Sequence, residues 1–174
     1  MPELLNWIDT TGGPHVLIPK ELVVHWKGVI GWFDNASLQD QSDYARACRV
    51  SGWLGLVPCG AGSAVVLSGD VGRMAWLPEI QSLVLWIAGD GENYILDVAR
   101  NGRLLGALSG ANTEELTFST GPSGTMHLFD SSLSAEASTP NGQTIVFPPG
   151  QKVIRAGYFN DARASVVVRQ ILAV

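Results

Sequence analysis

From Trp53 onward, short apolar runs alternate with breaks built from Gly, Pro, Asn and Ser, and this rhythm limits the possible folds more than any other feature. Short runs bounded by turn formers read as strands, because Gly reaches positive φ and Pro removes a backbone donor. The expected strands are residues 53–58, 63–68, 73–77, 82–88, 94–99, 103–108, 116–119, 125–130, 144–147, 153–159 and 164–172. Residues 82–88, SLVLWIA, are apolar nearly throughout, as in a strand covered on both faces. Gly60-Ala61-Gly62, Gly89-Asp90-Gly91 and Gly121-Pro122-Ser123-Gly124 read as hairpin turns, and Asn101-Gly102 as a type I′ turn. The Ser-, Ala- and Thr-rich stretch 131–142 reads as a mobile loop.

The first fifty residues are less regular. Residues 3–9 read as a strand, Thr11-Gly12-Gly13-Pro14 as a turn, and 15–18 as a second strand. Pro19 suits the first position of a helix running to Trp26, with Ile18, Leu22 and Trp26 on one stripe. Residues 28–40 read as a loop with aromatic anchors, and Ser42 or Asp43 as the cap of a helix ending near Arg49. Tyr44, Ala47 and Cys48 share one face of that helix and read as buried, as do Trp53 and Leu56 after it. The expected class is therefore mainly β, a β-sandwich or packed antiparallel sheets, with one or two short α-helices. Residues 1–174 are taken as one domain. Residues 63–70 echo 124–131, and 76–90 echo 146–160, so 53–110 and 115–174 read either as a duplicated unit or as similar hairpins.

Composition excludes several classes. Apolar residues make up 46% and charged residues 16%, the reverse of a disordered chain. The net charge is −5 and no Lys/Arg run occurs, which argues against nucleic acid and suits a basic protein partner. No long uncharged apolar window occurs, and the opening MPELLNWIDTT lacks the basic and apolar regions of a signal peptide. No membrane association is expected, and the cytoplasm is the expected compartment.

No catalytic set stands out. His15, His25 and His127 lack metal-ligand spacing, and Cys48 and Cys59 read as buried free thiols. The Gly-rich turns lack the helix and the Lys of a phosphate loop. Glu114 and Glu115, adjacent on a strand, point apart. No cofactor, no metal and no enzymatic activity are expected. Trp7, Trp53, Trp76 and Trp86 sit in apolar runs and read as core, whereas Trp26 and Trp32 read as freer.

Specific residues carry a resemblance. They are Trp7-Ile8, Thr11-Gly12-Gly13-Pro14, Leu17 to Pro19 with Glu21-Leu22, and Asp43-Tyr44 through Arg46-Ala47-Cys48. Further on come Trp53-Leu54-Gly55-Leu56-Val57-Pro58, Ala64 to Leu67 with Asp70, and Trp76-Leu77-Pro78. Together they resemble immunity protein family 21 of bacterial polymorphic toxin systems, most densely over the first half of the chain. The resemblance implies a protein that binds a cognate toxin domain and blocks its active site or substrate access. For such a role the partner-binding candidates are Trp32, Phe33, Asp34, Asp40 and Asp43. The alternative is a non-catalytic β-domain that binds a small ligand or glycan on exposed tryptophans.

Overall fold

The computed structural model describes residues 5–29 and 41–174. Two five-stranded antiparallel sheets face each other. The strands are β1 (His15–Pro19), β2 (Leu54–Cys59), β3 (Gly62–Leu67), β4 (Arg73–Leu77), β5 (Ser82–Gly89), β6 (Glu114–Ser119), β7 (Thr125–Asp130), β8 (Gln143–Val146), β9 (Gln151–Asn160) and β10 (Ala164–Ala173). One sheet has the order β2-β3-β1-β7-β8 and the other β4-β5-β10-β9-β6. The first strand and the last thus form the two sheet centres. His15 of β1 lies opposite Leu67 on one side and Asp130 on the other.

Strand alternation gives each sheet two apolar faces. Between the sheets, Leu17, Val65, Leu67, Met126 and Leu128 meet Met74, Leu83, Leu85, Ile154, Val167 and Ile171. Outside the first sheet, Val16, Ile18, Val57, Ala64, Val66 and Phe129 pack with Trp26 and Ala47. Outside the second, Ala75, Leu77, Val84, Val166 and Val168 pack with Ile95, Leu96, Val98, Ala99 and Leu104. Helical segments therefore cover both outer faces, which explains why β5 needs apolar residues on both sides.

The expected β class holds, with more helix than expected. The α-helices among the described residues are α1 (Asp43–Cys48), α2 (Glu92–Arg100), α3 (Arg103–Gly106) and α4 (Ala135–Ser138). Residues 94–99 and 103–108, expected as a hairpin, are instead α2 and α3 with a 3₁₀ turn at Ala107–Ser109. Ile95, Leu96, Val98 and Ala99 recur at helical spacing and lie buried against the sheet. Gly102, at φ +76°, ends one helix and starts the next instead of closing a hairpin.

Residues 116–130 do not form the expected hairpin either. β6 pairs with β9 and β7 with β1 and β8, so the chain changes sheets at Gly121-Pro122. Thr120 pins this corner, its buried hydroxyl lying 3.1 Å from both the nitrogen and the oxygen of Gly150. Residues 131–142 are not a free loop. Ser134 caps α4, and Ser131 and Ser138 are buried. Over residues 5–9 the expected first strand reduces to one bridge, with Ile8 and Met74 exchanging hydrogen bonds of 2.8 and 2.9 Å.

A cationic side chain lies deep in the core. Arg169 of β10 sits between Val167 and Ile171 on the inward face and is wholly buried. It donates to the carbonyl oxygens of Ser68 and Trp53, while one guanidinium nitrogen has no protein partner among the described residues. Burial pushes its pKa down to about 9, with Glu114 opposing the shift. No helix among the described residues is long and apolar enough to cross a membrane.

Candidate functional site

Trp32, Phe33, Asp34 and Asp40 lie outside the described residues. Asp43 lies inside them, and its surroundings define both ends of the stretch that carries the other four. Ser42 caps α1 by accepting a 3.0 Å hydrogen bond from the Ala45 amide. Asp43 begins that helix, is 8% exposed, and places both carboxylate oxygens inside the chain. One accepts from the Lys27 backbone amide at 2.5 Å and the other pairs with Arg46. Asp43 therefore clasps the limb entering the stretch to the helix that leaves it.

Two backbone bonds tighten the same base. The Tyr44 amide donates to Gly28 at 3.3 Å, and the Val29 amide donates to Ser132 at 3.0 Å. Gly28 has φ +63°, and a Cβ there would fall 2.4 Å from the Ser132 oxygen. Both the conformation and the close approach require glycine.

Beside this clasp runs a 3₁₀ turn, Lys20–His25, opened by Pro19 at φ −53°. Leu22 lies over Gly62 and the His25 ring over Gly60, so two small residues on the β2–β3 hairpin receive the turn. Val24 stays 60% exposed, and Leu56 on edge strand β2 is 43% exposed. The expected burial of Leu56 is thereby corrected: it lies on an edge strand beside a groove, without a covering neighbour strand. The signal was in β2 itself, where Pro58 marks an edge strand. Between β2 and β6 the sheets part to form a groove of about 450 Å³, lined by Pro19, Glu21, Leu22, Leu56, Phe118 and Pro122 among others. Glu21 accepts from the Ser123 amide at 2.9 Å, and its hydrogen bonding to Ser123 lowers its pKa. At the far end Glu114 bridges the two sheets, accepting from the Trp53 and Leu54 amides at 2.7 and 3.1 Å.

Several expected burial states are corrected. Trp26 is fully buried, its indole N–H donating to Ser131 at 3.0 Å, so it offers no free platform for a glycan. Cys48 is exposed while Cys59 is buried, and both are free thiols. Six residues of α1 place Cys48 at its last turn, beyond the side covered by the sheet, where Ala47 alone is buried apolar.

The polar residues act within the fold. His15 is buried with its Nε2 2.9 Å from the Ile8 carbonyl oxygen, and burial lowers its pKa to about 4. His127 lies 3.3 Å from the Ser138 carbonyl, with its pKa also lowered by burial. Glu115 pairs with Arg155 at 2.7 Å, away from Glu114 and its backbone partners. No group of three or more His, Cys, Asp or Glu side chains suited to a metal ion occurs among the described residues.

No curated protein and no solved structure matches the chain. The sequence model of the family described as immunity protein 21 matches residues 6–164. The match takes in every strand up to β9 and ends at the first residue of β10. Matched over nine of the ten strands among the described residues, and through the clasp at Asp43, the chain belongs to the immunity protein 21 family.

Proposed function

We propose that this protein binds a cognate toxin domain in the bacterial cytoplasm and neutralises it by covering its active site or blocking access of its substrate. Family membership is the observation that carries this reading. A binder of this kind works by occupancy and uses no catalytic group of its own. Nanomolar neutralisation corresponds to about 12 kcal/mol, usually over about 1,600 Å² of total buried surface.

The proposed contact surface centres on Trp32, Phe33, Asp34 and Asp40, with Asp43 holding the base of their stretch. We include in it the exposed Val24 and Leu56 and the groove between β2 and β6. Two aromatic residues followed in sequence by two carboxylates supply anchors and a negative charge for a basic partner. The net charge of −5 would speed encounter with such a partner.

The test is co-expression with the toxin domain encoded beside the gene. Growth rescue and co-purification are expected. Neither rescue nor co-purification would sink the reading. Trp32→Ala and Asp34→Asn are expected to lose both while the circular dichroism spectrum stays unchanged.

A further inference from the structure

The sandwich has a second open edge, between β4 and β8, remote in the strand order from the β2–β6 groove. A cleft of about 310 Å³ lies there, and Trp76, Pro78, Glu79, Leu96, Arg100 and Gln143 are among its walls. Trp76 is half-buried and held edge-to-face against Phe147, with ring centroids 5.4 Å apart at 78°. Its ring is therefore already fixed before anything binds.

Three features of this cleft have no partner among the described residues. The Gln143 side-chain oxygen is buried without a hydrogen-bond partner among the described residues. Glu79 and Arg100 are both exposed, and neither side chain has an ion-pair or hydrogen-bond partner among the described residues. Unsatisfied buried acceptors are rare in folded proteins, because each costs free energy unless a donor or water reaches it.

We infer that this cleft receives a guanidinium or alkylammonium side chain carried on a polypeptide. A flat, multiply donating cation matches the set of an amide oxygen, a carboxylate and an aromatic ring. Arg100 decides between a free cation and a peptide-borne one. Any cation there meets repulsion from Arg100, and a peptide offsets it by bringing a backbone carbonyl that Arg100 can bind. The inference does not depend on which toxin the protein meets, or on its meeting one.

The test uses isotope-labelled protein titrated with Nα-acetyl-arginine N-methylamide, agmatine and Nα-acetyl-leucine N-methylamide. Saturable shifts of the Trp76 indole and Gln143 side-chain amide signals are expected with the arginine amide. Agmatine should bind about threefold or more weakly, because it brings a second cationic end toward Arg100 where the arginine amide brings a carbonyl. Glu79→Gln should weaken the arginine amide about fivefold or more by removing a charge-assisted bond, with the remaining spectrum unchanged. Arg100→Gln should erase the difference between the arginine amide and agmatine while leaving guanidinium binding in place. The inference is overturned if the arginine amide gives no saturable shift, or if the leucine amide shifts the same signals at the same concentration. Because no toxin is involved, failure here leaves the neutralisation reading to stand or fall by its own experiment.

Discussion

Arg169, on the central strand of one sheet, donates to the backbone carbonyl of Ser68, which follows β3 of the other. The bond crosses the apolar core and ties the sheets together at a point where every other inward neighbour on β10 is aliphatic. A buried cation is expensive when its partners are removed and costs little when the whole polar arrangement is replaced. Arg169→Ala is expected to lose about 3–5 kcal/mol in urea unfolding, while Arg169→Met recovers most of that loss. Equal losses in the two variants would contradict this account.

His15 makes stability depend on pH. Its folded pKa is about 4, below the ordinary value of 6.5, so the folded state holds fewer protons between those two values. The contribution is complete above pH 6.5 and is lost as pH falls toward 4, to a total of about 3 kcal/mol. Unfolding free energies at pH 7 and pH 4.5 should therefore differ more for the native protein than for His15→Gln.

The two thiols should separate cleanly under native conditions. Cys48 is exposed, whereas Cys59 is buried and donates to the Leu22 carbonyl at 3.4 Å. Burial pushes the Cys59 pKa up to about 11, which keeps it protonated and unreactive at neutral pH. Iodoacetamide should add a single group to the folded protein, at Cys48, and a second only after unfolding. Simultaneous modification of both would show that the β2–β3 hairpin opens readily.

Asp43 is expected to act through position. Asp43→Ala leaves the Lys27 amide without its acceptor and should cost about 1–3 kcal/mol. It should also weaken toxin capture by loosening the stretch that carries Trp32 and Phe33. Asp43→Asn keeps an acceptor and should retain more of both properties; calorimetric titration against the toxin domain would compare the two.

On the opposite side of the molecule, Asp161 ties the β9–β10 turn to the helices. It accepts from the Tyr94 hydroxyl at 2.5 Å, from Arg103 at 2.7 Å, and from the Arg163 and Ala164 amides at 2.8 and 2.9 Å. The Tyr94 hydrogen bond, above all, holds its pKa down at about 2. In Asp161→Ala the Arg163 and Ala164 amides should exchange with deuterium faster, while those of β1 and β3 stay unchanged.

The strands were the most legible part of the sequence. Arg73–Leu77 and Thr125–Asp130 emerge with the expected bounds, because apolar runs flanked by turn residues leave few alternatives. Tyr94–Ala99 misled because Asn101-Gly102 favours a hairpin, yet Ile95, Val98 and Ala99 recur at helical spacing. Gly121-Pro122 marks a reversal equally well within one sheet or between two, and only pairing partners separate the cases. The sequence placed the partner candidates on an irregular stretch, but not the clasp beneath it. That clasp joins Lys27 to Asp43 and Val29 to Ser132, residues distant in sequence that only folding brings together. The β4–β8 cleft was hidden for the same reason, since Trp76, Arg100 and Gln143 come from three separate elements.

The position of β10 has a consequence for the order in which the two sheets can be completed. Without it, β5 and β9 have no common neighbour, and the second sheet is two unconnected pairs. β10 follows the other nine described strands in the chain, so every strand of the first sheet is made before the strand that joins the second. Until β10 pairs, β5 and β9 each present an open edge along that seam. A chain interrupted before β10 would therefore hold one complete sheet and two loose strand pairs.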